Sequence, residues 1–144
     1  MRIALCGSLS LGRSFLDVKK ELEDLGHEVL IPESIRKYKL DTAEDAKKFK
    51  SEQSGYMKIK NVYMNEHFEK IGRSDAIVVI NKPKGDVKNY IGGNTFAEII
   101  VAFFLKKKIF LLNPIPTDVS LKVFREELVG VEPTILYGDL KRIE

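Results

Sequence analysis

The chain predicts an open, parallel, five-stranded α/β sheet covered by helices on both faces, and three observations carry that prediction. Short apolar runs rich in β-branched residues alternate with stretches whose apolar residues recur at helical spacing. The first strand, helix and second strand fit within about 30 residues, the span of a βαβ unit with a right-handed crossover. At 144 residues, 44% of them hydrophobic, the chain suits one domain and is too apolar for disorder.

Arg2 to Cys6 is the first strand, leaving the sheet at Gly7. Phe15, Val18, Leu22 and Leu25 then mark one helix face, with Ser14 available as its N-cap and Gly26 as its C-terminal stop. His27 to Ile31 is the second strand, closed by Pro32. From Asp41 to Gly72 the chain is charged and helical in type. Asp41-Thr42-Ala43-Glu44 is a starting cap, Gly55 a divider, and Lys47, Lys48 and Lys50 a solvated face. Asp75 to Ile80 is a third strand buried on both faces. Gly92-Gly93 leads into an apolar helix from Thr95 to Leu105, followed by Lys106-Lys107-Lys108 at its negative end. Ile109 to Leu112 is the fourth strand, ending at Asn113-Pro114. Thr117 caps a helix to Val129, and Pro133 to Leu136 is the fifth strand.

Composition bounds the function. The charges, 24 Lys plus Arg against 21 Asp plus Glu, are interspersed, which argues against a nucleic-acid polymer as partner. No run approaches the roughly 20 apolar residues of a membrane span, and the first residues do not form a signal peptide, so a soluble cytoplasmic protein is expected. A single cysteine and two histidines without ligand spacing predict no metal site, and no motif calls for a cofactor.

In open α/β sheets ligands bind beyond the carboxyl ends of the strands. Three loops therefore matter: Gly7 to Arg13, Asn81 to Asn94, and Asn113 to Thr117. In the first, Gly7, Ser8, Ser10, Gly12 and Arg13 combine bendable backbone, hydroxyl donors and a cation, a set that suits a phosphate. It is neither a Walker A sequence nor G-x-G-x-x-G. The second leads through Gly92, Gly93 and Asn94 to Glu98, the only carboxylate or amine between Lys88 and Lys106. Glu98 has two readings. It completes a capping box with Thr95, or it faces the crevice as a nucleophile or base. Asp75 is either a structural acceptor at a strand entry or a site residue. His67, Lys88 and Asn113 are candidate pocket-edge residues. Lys82, Lys84 and Lys88 are either a solvated loop or a source of positive charge that attracts a phosphate-bearing substrate to the crevice.

These segments resemble the nucleoside 2-deoxyribosyltransferase superfamily, which includes the 2′-deoxynucleoside 5′-monophosphate N-hydrolases. The likeness rests on Gly7-Ser8-Leu9-Ser10-Leu11-Gly12-Arg13, on Ser74-Asp75-Ala76-Ile77-Val78-Val79, and on Gly93-Asn94-Thr95-Phe96-Ala97-Glu98 followed by Ala102 and Lys107-Lys108-Ile109. It implies a flavodoxin-like fold and a homodimer. It also implies Glu98 as the nucleophile at the anomeric carbon, Asp75 as an aid to the leaving base, and the Gly7 to Arg13 loop as a 5′-phosphate holder. Ile100 stands where the family usually has glycine, Gly92 where transferases often have aspartate, and Leu5 where many have an aromatic residue. These departures favour a nucleoside 5′-monophosphate over a free nucleoside. A catalytically silent nucleotide binder is the alternative from another class.

Overall fold

The computed structural model describes residues 1–52 and 56–144. Five strands, β1 (Arg2–Cys6), β2 (Glu28–Leu30), β3 (Ala76–Val79), β4 (Lys108–Leu111) and β5 (Thr134–Ile135), form one parallel sheet in the order β2-β1-β3-β4-β5. The helices are α1 (Gly12–Asp24), α2 (Glu33–Tyr38), α3 (Ala43–Glu52), α4 (Tyr56–Gly72), α5 (Gly93–Phe104) and α6 (Lys122–Gly130).

The buried strands read as continuous apolar runs because alternate residues serve two cores. Ile3, Leu5, Ala76, Val78, Ile80 and Phe110 pack with Phe15, Val18 and Leu22 of α1 and with Phe49 of α3. Ala4, Cys6, Ile77, Val79, Ile109 and Leu111 pack with Ile71 of α4, Ile99 and Ala102 of α5, and Leu128 of α6. Both faces of the sheet are therefore covered, as the alternating pattern predicts. The direction of winding reverses between β1 and β3, which opens a crevice at their carboxyl ends.

Several element ends differ from expectation, each for a local reason. The chain after Gly7 makes a 3₁₀ turn, Leu9–Leu11, and Ser8 caps it by accepting from the Ser10 amide at 3.3 Å. Helix α1 follows directly from Leu11, so Ser14 lies inside it and caps nothing. Gly26 ends α1 as expected, with a φ of 89° that a side chain would oppose. Thr42 caps α3, with Asp45 rather than Glu44 as reciprocal partner. Thr42 Oγ1 accepts from the Asp45 amide and Asp45 Oδ2 from the Thr42 amide, both at 3.1 Å. The divider expected at Gly55 lies outside the described residues. Asp118, not Thr117, caps the turn before α6 by accepting from the Ser120 amide. Helix α5, though apolar along its length, is not buried all round: Ile99 and Ala102 are buried, whereas Phe103 and Phe104 face outward at its end.

Candidate active site

A cavity of about 310 Å³ opens at the β1–β3 crevice. Its walls come from Gly7, Ser8 and Leu9 after β1, Pro32 and Ser34 after β2, and Tyr90, Gly92 to Thr95 and Glu98 after β3. Phe49 and Lys50 of α3, and Lys60, Tyr63, Met64 and His67 of α4, close it from the side.

Glu98 sits on its inner wall with only 3% of its surface exposed. Helix α5 starts one turn earlier than Thr95 would start it: Gly92 is the N-cap and no side chain caps the helix. Thr95 is thus the third helical residue and Glu98 the sixth. That geometry excludes the capping box, because Glu98 is too far along the helix to reach the first free amide. Nor does the helix dipole favour its ionisation, since that effect fades within the first turn. Glu98 Oε1 accepts from Asn94 Nδ2 at 3.1 Å, while Oε2 has no hydrogen-bond partner among the described residues.

Two further buried groups converge on this carboxyl. Cys6, the last residue of β1, points to the α4–α5 side of the sheet and sets its Sγ 3.7 Å from His67 Nε2. His67 Nε2 in turn lies 4.0 Å from Glu98 Oε1. Burial pushes Glu98 up to about 8, against smaller opposing effects of hydrogen bonds from Cys6 and Asn94. Burial, with Lys70 nearby, pulls His67 down to about 4. Around neutral pH the pair is therefore an uncharged imidazole beside a largely protonated carboxyl, not an ion pair. Burial first, then the neighbouring Glu98, raises the Cys6 thiol well above its ordinary range.

Thiol, imidazole and carboxyl lie within 4.8 Å of one another, a cluster that chain spacing does not reveal. Such a set could hold a soft divalent cation. In the ion-free chain the raised pKa keeps Cys6 a neutral thiol, and a bound cation would itself lower it.

Of the expected site residues, Gly7, Ser8, Gly92, Gly93, Asn94, His67 and Glu98 line this cavity together. The others do not. Asp75 precedes β3, at the opposite end of the sheet and roughly 16 Å of strand away from the crevice. Its Oδ2 accepts from the Arg2 amide at 2.7 Å, a bond that ties the start of β1 to that of β3. Gly12 is a packing glycine, since a Cβ there would fall 1.6 Å from the Leu40 carbonyl oxygen. Its neighbour's amide donates to the Asp41 carbonyl, so this half of the loop grips the chain before α3 instead of an anion. Arg13 is exposed, pairs with Asp17 at 3.4 Å and lines a separate groove with Lys19 and Arg36. The Ser10 hydroxyl lies 2.7 Å from that of Ser8, and Ser10 is not on the cavity wall. Asn113 exchanges hydrogen bonds with fully buried Asn81, binding the ends of β3 and β4 together. Lys88 is exposed off the cavity, whereas Lys84 from the same loop lines it, its Nζ lying 4.8 Å from the Tyr90 ring centre.

The residues missed are Lys50, Lys60, Tyr63, Met64 and Tyr90. Lys60, Tyr63, Met64 and His67 share one face of α4 by their three- and four-residue spacing, so this face was readable once His67 was placed. Nothing in the local sequence brings Lys50 of α3 to the same place.

No family model matches the chain, and no curated protein matches it. Among solved structures it is similar to a 2-deoxyribosyltransferase from the psychrotolerant bacterium Bacillus psychrosaccharolyticus, with 18% identity and a TM-score of 0.53. The match covers 77% of this chain and 71% of that one. At this identity the likeness shows a shared fold.

Proposed function

We propose that the protein cleaves, or transfers at, the N-glycosidic bond of a (deoxy)nucleoside 5′-monophosphate, with Glu98 as nucleophile. One observation carries this reading: a carboxyl buried on the inner wall of the crevice cavity, freed from helix capping, with one oxygen unpartnered. Leaving such a group in place costs stability, and a cationic sugar is the kind of ligand that compensates it.

In the proposed step the ionised fraction of Glu98, which grows as pH rises towards 8, attacks the anomeric carbon, the C–N bond breaks, and its electron pair leaves with the base. Water then cleaves the glycosyl ester and restores Glu98, or a second base accepts the sugar. Asn94 orients the carboxyl through Oε1 and leaves Oε2 for the attack. Among the described lining residues Glu98 is the only carboxylate, so no second carboxylic acid is at hand to protonate the base. Ser8 and Tyr90 supply hydroxyl donors on the wall instead. The shared fold with a 2-deoxyribosyltransferase is consistent with this assignment.

The test is chromatographic detection of free base from a panel of nucleoside 5′-monophosphates. The wild type releases base, and Glu98→Gln reduces release by about 10³-fold or more. Absence of release across the panel, with nucleotide binding retained, favours the silent binder. A homodimer belongs to the same proposal, supported by Phe103 and Phe104, the latter 78% exposed at the end of α5. Sedimentation equilibrium reads it, and a monomer at micromolar concentration refutes it.

A further inference from the structure

With Gly12 and Arg13 turned away, the expected phosphate holder has lost its cation, yet the cavity has not. Lys50, Lys60 and Lys84 come from three separate elements, α3, α4 and the loop after β3, and all three line it. No ion pair joins any of them to a carboxylate among the described residues, although other lysines of α3 and α4 are paired. Lys48 meets Glu52, and Lys70 meets Glu33 and Glu66. Lys50 is held below its ordinary pKa by burial and then by the charges of Lys84 and Lys60, so the three ammonium groups feel one another. Gathering like charges without a counter-ion is unfavourable, and an anion at their centre reverses the sign of that effect.

Position along α4 relates this cluster to the carboxyl. Lys60 lies seven residues, roughly 10 Å of helix, before His67, whose Nε2 lies 4.0 Å from the Glu98 carboxyl. A flexible lysine can reach back over part of that distance. The separation suits a group one furanose ring and one methylene away from the anomeric carbon.

We infer that Lys50, Lys60 and Lys84 form the receptor for the substrate's phosphate and select phosphorylated over unphosphorylated nucleosides. For the identity of the ligand this rests on the nucleotide reading above, but not on Glu98 being a nucleophile. Three elements meet on one anion, so the phosphate also draws α3, α4 and the Lys84 loop together around the sugar.

Calorimetry on the Glu98→Gln protein separates the two claims, because it reads binding without turnover. The ligands are the four deoxynucleoside 5′-monophosphates, the matching deoxynucleosides, and inorganic phosphate as competitor. At least one monophosphate binds about tenfold or more tightly than its nucleoside, and added salt erodes the difference. Lys50→Ala, Lys60→Ala and Lys84→Ala each remove about five- to tenfold of that preference. Lys47→Ala, on the exposed side of α3, leaves it intact and controls for helix folding. Unchanged monophosphate affinity in the three variants, or no preference for phosphate in the parent, overturns the receptor. Lysine-dependent binding without base release by the wild type keeps the receptor and removes the glycosidase.

Discussion

At the scale of single residues, Glu98 dominates the energetics of the site and sets its pH dependence. Its carboxyl is raised to about 8 in the folded chain against 4.5 for the unperturbed group. A group raised in this direction contributes fully to stability below the unfolded value, and the contribution is lost as pH rises through the folded one. The wild type should therefore weaken between about pH 5 and 9, by roughly 3–5 kcal/mol from this group alone. Glu98→Gln cannot ionise, so urea unfolding should find it increasingly more stable than the wild type across that window, with the gap closing near pH 5. A gap that is constant with pH contradicts a buried, desolvated carboxyl. Buried His67 behaves oppositely, because its contribution is present above 6.5 and lost as pH falls towards 4. The same carboxyl was open to two readings in the sequence, since Thr95-Phe96-Ala97-Glu98 fits a capping pattern. Only the true start of α5 at Gly93 decides between them, and a Gly-Gly-Asn entry leaves that start undetermined locally.

At the scale of elements, the Gly7 to Arg13 segment divides into two halves with different tasks. Gly7 and Ser8 face the cavity, and Gly12 lets α1 approach the backbone at Leu40. Gly12→Ala should cost about 2–4 kcal/mol in chemical denaturation, because backbone on both sides must move to admit the methyl group. Arg13→Ala should change stability by less than about 0.5 kcal/mol, since its partner Asp17 is also exposed. If Arg13→Ala instead abolishes phosphate binding while Gly12→Ala is tolerated, the assignment of this loop is wrong. The motif was legible as glycines beside hydroxyls and a cation. Its division was not, because the atom that needs Gly12 belongs to Leu40, 28 positions away in the sequence. The strands were the more readable elements, since alternate apolar residues must fill two cores and leave little freedom of register. Helix α2 escaped notice, being six residues long and placed directly after Pro32.

At the scale of the whole molecule, sheet topology organises the site. The reversal between β1 and β3 brings Cys6, the Gly7–Ser8 turn and α5 to one end of the sheet, and it leaves Asp75 at the other. Chain order thus predicts the loops that can bind, while long-range packing decides which side chains do. Asp75 illustrates the limit: its position at a strand entry was readable, and strand direction alone places it away from the crevice. Lys50, Lys60 and Lys84 illustrate the converse, since their meeting exists only after α3 and α4 dock over the sheet edge.

The proposed glycosidase chemistry requires that Glu98 attack the anomeric carbon and carry the sugar covalently. Methanol competition reads this directly, through the anomeric configuration of the methyl glycoside formed from a deoxynucleoside 5′-monophosphate. Two successive displacements, the first by Glu98, predict a methyl 2-deoxyriboside 5-phosphate with the configuration of the substrate retained, as nuclear magnetic resonance would report. Inversion would make Glu98 a base acting on water, and base release that persists in Glu98→Gln would remove it from the chemistry altogether.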